Sequence, residues 1–77
     1  MTSGLPSLKA SEVLRALERG GFRLARSSGS HHRMIHVSDP RRATTVPVHG
    51  GKDLPRSLLR AVIKQAGFTV EEFLALL

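Results

Sequence analysis

The chain has no cysteine. That excludes a disulfide framework and a thiolate metal site, and it suits a reducing cytosol. No apolar run approaches the roughly 18 residues needed to span a bilayer, so no membrane association is expected. Met1 to Leu8 lacks a charged start followed by an apolar stretch, so it does not read as a secretory signal. It reads instead as a flexible lead-in. Carboxylates are scarce, six Asp and Glu against twelve Lys and Arg. They are scattered over helix faces and caps and form no paired acid–base site. Ser, His31 and Asp39 are all present, but nothing orders them as a triad and no nucleophile elbow appears. There is also no internal repeat and no low-complexity tract.

What the chain does have is positive charge in one place. Its net charge is +6 over 77 residues. Between Arg23 and Lys64, nine basic residues meet two acidic ones, a local +7. A single domain over residues 1–77, with 1–8 as the flexible lead-in, is the expected organisation. Such a domain buries only about 60% of its unfolded surface. Its stability should be roughly 4–11 kcal/mol. A small domain with a basic middle carries the electrostatic footprint of a polyanion binder.

Periodicity divides the chain. Ala10, Val13, Leu14 and Leu17 recur at helical spacing, which predicts an amphipathic helix over about Lys9 to Arg19. Ser7 or Ser11 can cap its start, and Gly20-Gly21 ends it. Phe22 to Arg26 alternates as a half-buried strand, with Phe22 and Leu24 expected to face the helix. Ser27 to Ser30 is a turn cluster, and His31 to Val37 is a second strand. Asp39-Pro40-Arg41-Arg42 is another turn, followed by a third strand from Ala43 to Val48. Pro47, which lacks an N–H, argues for an edge position there. A second helix follows Pro55, with Leu58, Leu59, Val62, Ile63 and Ala66 on one side and Arg56, Arg60 and Lys64 on the other. Gly67 closes it. Thr69 and Glu72 form a capping box for a short last helix, stapled by Phe68 and Phe73. The economical arrangement is an α+β two-layer sandwich. It has a three-stranded antiparallel sheet, both main helices on one face, and the other face open.

All four histidines lie between positions 31 and 49. In a strand, His32 and His36 stand roughly 13 Å apart, which does not suit a shared metal ion. Alternation puts His31, Arg33, Ile35 and Val37 on one face and His32, Met34 and His36 on the other. Burying Arg33 in so small a core is costly. The expected register therefore turns His31 and Arg33 outward and Met34 inward, although a slip of one residue reverses it. Imidazole ordinarily titrates at about 6.5, so a histidine on a basic surface suits proton transfer near neutrality. RNA carries its own nucleophile, the 2′-hydroxyl. Cleavage needs a proton-transfer group near that hydroxyl and cations for the charge developing on phosphorus. His31 is the candidate for the first task and Arg33 for the second, and no metal is required. His49 can serve as a second acid or base if its loop folds back towards His31. Otherwise it is a loop histidine bonding backbone. His32 and His36 are expected to be structural.

Several short motifs occur in order. Gly21-Phe22 follows the first helix, and Gly29-Ser30-His31 opens the second strand. Val46-Pro47-Val48-His49-Gly50 comes next, then Lys64-Gln65-Ala66-Gly67 and Glu71-Glu72-Phe73-Leu74. In these, over about residues 9 to 77, the chain resembles the HicA family of toxin ribonucleases, the mRNA interferases of prokaryotic toxin–antitoxin modules. It departs from the family pattern at Asp39-Pro40-Arg41-Arg42, where a glycine is common, and at Ser57-Leu58, where Gly-Thr is common. The resemblance implies a double-stranded-RNA-binding-like fold, RNA cleavage without a metal or other cofactor, and a catalytic histidine at His31. It also implies a HicB-type antitoxin partner that masks the active site. On this reading Ser30 orients or contacts phosphate, and Arg33, Lys52 and Arg56 clamp the RNA backbone. Two other readings compete. One is a non-catalytic RNA-binding module of the same fold, which binds in a salt-dependent way without turnover. The other is a protein-interaction module whose basic surface serves only an acidic partner.

Overall fold

In a computed structural model, residues 4–77 are described. Helix α1 (Ala10–Arg19) is followed by strands β1 (Phe22–Ser28), β2 (His31–His36) and β3 (Ala43–Pro47), then by helices α2 (Arg56–Gln65) and α3 (Val70–Leu74). The strands form one antiparallel sheet in the order β1-β2-β3. This is the expected α+β sandwich of the double-stranded-RNA-binding type, with helices on one face of an open sheet. No helix among the described residues is long and apolar enough to cross a membrane.

Local chemistry explains the joints. β1 turns into β2 through Gly29-Ser30, with Ser28 paired to His31. Gly29 has φ +58°, and among the described residues none other than glycine has a positive φ. A two-residue hairpin with glycine alone in the left-handed region fits a type II′ turn, whose twist matches that of the flanking strands. At the start of α1 neither serine caps. The helix begins after Lys9, whose N–H donates to the Glu12 carboxylate at 2.9 Å. Glu12 therefore supplies the returning half of a capping box, satisfying the N–H of the N-cap residue itself. The capping box of α3 forms as expected. Glu72 N–H donates to Thr69 Oγ1 at 3.1 Å, and Thr69 N–H donates to Glu72 Oε1 at 2.8 Å.

The core lies between the sheet and the helices. Val13 and Leu17 from α1 meet Phe22, Met34 and Val46 from the strands, and Leu59, Val62 and Ile63 from α2. Thr44 is the one fully buried polar residue among those described, and its hydroxyl donates to Gln65 Oε1 at 2.9 Å. Two expectations change here. Leu24 is 48% exposed instead of covered. β1 is an edge strand, and only its Phe22 end lies beneath the helices. The lead-in over residues 4–8 is not loose, because Leu5 and Leu8 are buried. The Leu5 carbonyl accepts from Arg56 Nε at 3.0 Å, and the Leu8 carbonyl accepts from Leu54 N–H at 2.8 Å. Apolar residues at positions 5 and 8 supply the driving force that the short segment's composition concealed. Residues 1–3 of the lead-in lie outside the described residues.

Arg42 is a structural cation. Its guanidinium lies over the rings of Phe68 at 4.9 Å and Phe22 at 5.6 Å, and its Nε donates to the Ala66 carbonyl at 2.8 Å. Gly67 makes room for it, since a Cβ there would come within 2.7 Å of Arg42 Nε, at a φ of +83°. Arg42→Ala is expected to lower unfolding free energy by about 2 kcal/mol, read as a lower urea midpoint at unchanged slope. Arg42→Lys should recover little, because an ammonium lacks the planar, forked guanidinium.

Candidate active site

The pairing register converts the alternation of β2 into two sharply different faces. His32 pairs with Val46, and Met34 with Thr44, on the side that the helices cover. Met34, Thr44 and Val46 are all buried. His31 pairs with Pro47, Arg33 with Thr45, and Ile35 with Ala43, on the open side. His31 and Arg33 are exposed. The expected register is the one adopted.

β1 contributes to this face through an irregularity. Its register shifts between Leu24 and Arg26. Strict alternation would put Arg26 on the side of Phe22 and Leu24. The extra residue in the bulge turns it over. Arg26 then stands opposite Arg33, and Ser28 opposite His31. The open face becomes a short grid, with Ser28, His31 and Pro47 in one row and Arg26, Arg33 and Thr45 in the next. Arg26, Ser28, His31, Arg33 and Thr45 together line a hollow of about 300 Å³. Arg33 is steered across the sheet by its Nη1, which donates to Thr45 Oγ1 at 3.2 Å.

The electrostatics of this hollow are one-sided. Like charges directly opposite on neighbouring strands repel. Among the described residues the ion pairs are Lys9 with Asp53 at 3.6 Å and Arg41 with Asp39 at 3.0 Å, and neither reaches Arg26 or Arg33. The Arg41 guanidinium hydrogen-bonds Asp39 and holds its carboxyl below the usual range, while Asp39 raises Arg41 in turn. That pair neutralises itself in the β2–β3 turn. Two arginines facing each other without a carboxylate form a site that an anion would relieve.

The other three histidines have different surroundings. His36 Nδ1 accepts from the N–H groups of Ser38 and Asp39 at 3.1 and 3.2 Å, and its ring meets Phe22 edge-on at 5.2 Å. It organises a turn. His32 is half-buried on the helix side, and its Nδ1 is buried without a hydrogen-bond partner among the described residues. His49 is exposed in the β3–α2 loop and lines a separate hollow that shares Pro47 with the open face. Among the described residues no group of three or more His, Asp or Glu is placed to hold a metal ion.

The remaining candidates are dispersed. Ser30 sits in the hairpin turn beside His31, and its carbonyl accepts from Val48 N–H at 2.6 Å, tying the turn to the end of β3. Ser28, which the sequence did not single out, is the serine that lines the hollow. Lys52 lines the hollow of His49. Arg56 is tied to Leu5 and lines neither. Arg26 also escaped the sequence reading. Its one signal was an arginine at a position that strict alternation assigns to the covered face. A family model described as the HicA toxin of bacterial toxin–antitoxin systems matches residues 10–68. A comparison with curated proteins gives no match.

Proposed function

The chain belongs to the HicA toxin family of bacterial toxin–antitoxin systems, and we propose that it acts as an endoribonuclease that cleaves mRNA and so stops translation, with His31 as the catalytic residue. The observation that carries this reading is one lone exposed imidazole set a single row away from two arginines that no carboxylate neutralises. RNA lies across the open sheet face with the scissile phosphate on Arg26 and Arg33. His31 takes the proton of the adjacent 2′-hydroxyl. The 2′ oxygen bonds to phosphorus, the bond from phosphorus to the 5′ oxygen breaks, and water supplies the proton that the leaving oxygen needs. The products are a 2′,3′-cyclic phosphate and a 5′-hydroxyl. The arginines stabilise the extra charge on the phosphorane, which is worth most where the donors are already in position. Ser30 at the turn and Lys52 beyond Pro47 contact the flanking backbone. Arg56, committed to Leu5 through Nε, contributes to RNA binding only through its remaining nitrogens.

The antitoxin partner that the family implies is, on this reading, an acidic protein of the HicB kind. The chain's +6 charge attracts it. It covers the open face, and either sheet edge can serve it as a further contact. Both proteins then act in the cytoplasm, where mRNA is found.

Every group used comes from the chain, the substrate or water, so cleavage is expected to persist in excess EDTA. The folded, partner-free protein should cut a short RNA and leave cyclic-phosphate ends. The same RNA with one 2′-deoxyribose at the cleavage position should stay intact. Cutting of the deoxy substrate would contradict the mechanism. Intact RNA with salt-dependent retardation would identify a binding module instead.

A further inference from the structure

The hollow beyond Pro47 enters the reading above only through Lys52, and takes no part in the bonds made and broken. It is lined by Pro47, His49, Lys52, Asp53, Leu54, Pro55 and Leu58 and measures about 250 Å³. That lies just below the range of sites for drug-sized ligands, about 300–1,000 Å³, and suits one ring system. Its place is specific. Pro47 pairs directly with His31 across the sheet, so the hollow opens beside the row that holds His31.

The walls and the rim differ in chemistry. Leu54, Pro55, Leu58 and Pro47 offer apolar surface. His49, Lys52 and Asp53 supply the polar groups. Single-stranded RNA is read in this way, by stacking a splayed base on a side chain such as histidine and bonding its Watson–Crick edge. The polar groups also select among bases. Asp53 only accepts hydrogen bonds and Lys52 only donates them. Guanine presents two adjacent donors, N1–H and the N2 amine, beside the O6 acceptor. Adenine, cytosine and uracil each place an acceptor next to their one donor group, which a carboxylate repels. We infer that this hollow is a guanine-preferring base subsite, filled by the nucleotide next to the scissile phosphate. The inference rests on the RNA-cleaving reading for its substrate and goes beyond it in naming the base.

The hollow is held in shape without a ligand. Lys52 N–H donates to the His49 carbonyl at 3.0 Å, closing the Gly50-Gly51 turn, and Leu54 N–H donates to the Leu8 carbonyl at 2.8 Å. Lys9 and Asp53 form an isolated antiparallel bridge. Their side chains stand 3.6 Å apart. An ion pair this exposed is weak, so the Asp53 carboxylate can exchange Lys9 for a base edge at small cost.

Two measurements test the inference independently. In the first, the protein is titrated with the four nucleoside monophosphates and its amide NMR signals are followed. Guanosine monophosphate is expected to shift the signals of residues 48–54, and the other three should shift them less. In the second, four RNAs that differ only at the base beside the cleavage position are compared by kcat/KM. The guanine substrate should lead by roughly 5- to 150-fold, the discrimination of one bidentate base contact. Asp53→Asn should level that preference. Lys9→Ala, which removes the ion pair and leaves the carboxylate, should keep it. Equal shifts with all four nucleotides, or a guanine preference unchanged in Asp53→Asn, would overturn the subsite. Guanosine monophosphate shifts without cleavage of any RNA would support the subsite and sink the catalytic reading. Cleavage without base preference would do the reverse.

Discussion

His31→Ala is expected to lower RNA cleavage by about 10²- to 10⁴-fold, the range for loss of one positioned proton-transfer group. The fold should be unaffected, since His31 is exposed and makes no side-chain hydrogen bond among the described residues. Its neighbour supplies the control. His32 stands on the helix-covered side, opposite Val46, with an unpartnered buried nitrogen. His32→Leu removes that nitrogen and keeps apolar volume, and a buried polar atom without a partner costs about 1–3 kcal/mol. The substitution should therefore hold or raise stability and leave cleavage within a few-fold of wild type. Cleavage rates and urea midpoints for the two variants read both effects. Equal losses of activity from both positions would mean that the two faces of β2 do not divide the work.

The second large effect concerns the arginine pair. Arg33→Ala should reduce cleavage by about 10²- to 10³-fold, the usual cost of removing a preorganised donor to developing charge. Arg26→Ala should act in the same direction. Its effect on the free protein should have the opposite sign. Removing one of two like charges that face each other across strands is worth roughly 0.2–1 kcal/mol, so Arg26→Ala should be slightly more stable as it becomes less active. An arginine that merely supported the fold would lose both together. Wild-type cleavage by Arg26→Ala would remove it from the site, and lowered stability would show that its role is structural.

These variants also mark where a linear reading of the chain succeeds. Apolar spacing located the elements because a 3.6- or 2-residue period is a local property, set by how backbone geometry aims side chains. Gly29-Ser30 announced a tight hairpin because only a few residues tolerate its dihedrals. The cost of burying Arg33 chose the register of β2, and that choice separated His31 from His32. The limits are as specific. Capping of α1 went to Glu12, where a serine was expected, because reach and not residue type decides which oxygen arrives at an N–H. Leu5 and Leu8 looked like part of a loose lead-in because two leucines in eight residues carry no period. Their value depends on a surface formed by segments about fifty residues away.

The basic middle shows the same division. Nine positive residues between Arg23 and Lys64 announced a polyanion partner, and charge alone determined that much. Tertiary structure then sorted them. Arg42 went over two phenylalanine rings, Arg41 to Asp39, and Arg56 to the Leu5 carbonyl. Arg23, Arg26 and Arg33 went to the open sheet face, and Arg60 and Lys64 to the outer side of α2. By itself the sequence determined the elements and the resemblance to a toxin family, and it made His31 a candidate for proton transfer, because those depend on residue identity and short spacing. Only the folded chain decided that Arg26 joins that histidine, and that the hollow of Lys52 and Asp53 opens next to it. A bulge and a strand register are settled by pairing between segments, and pairing energy belongs to no single stretch of chain.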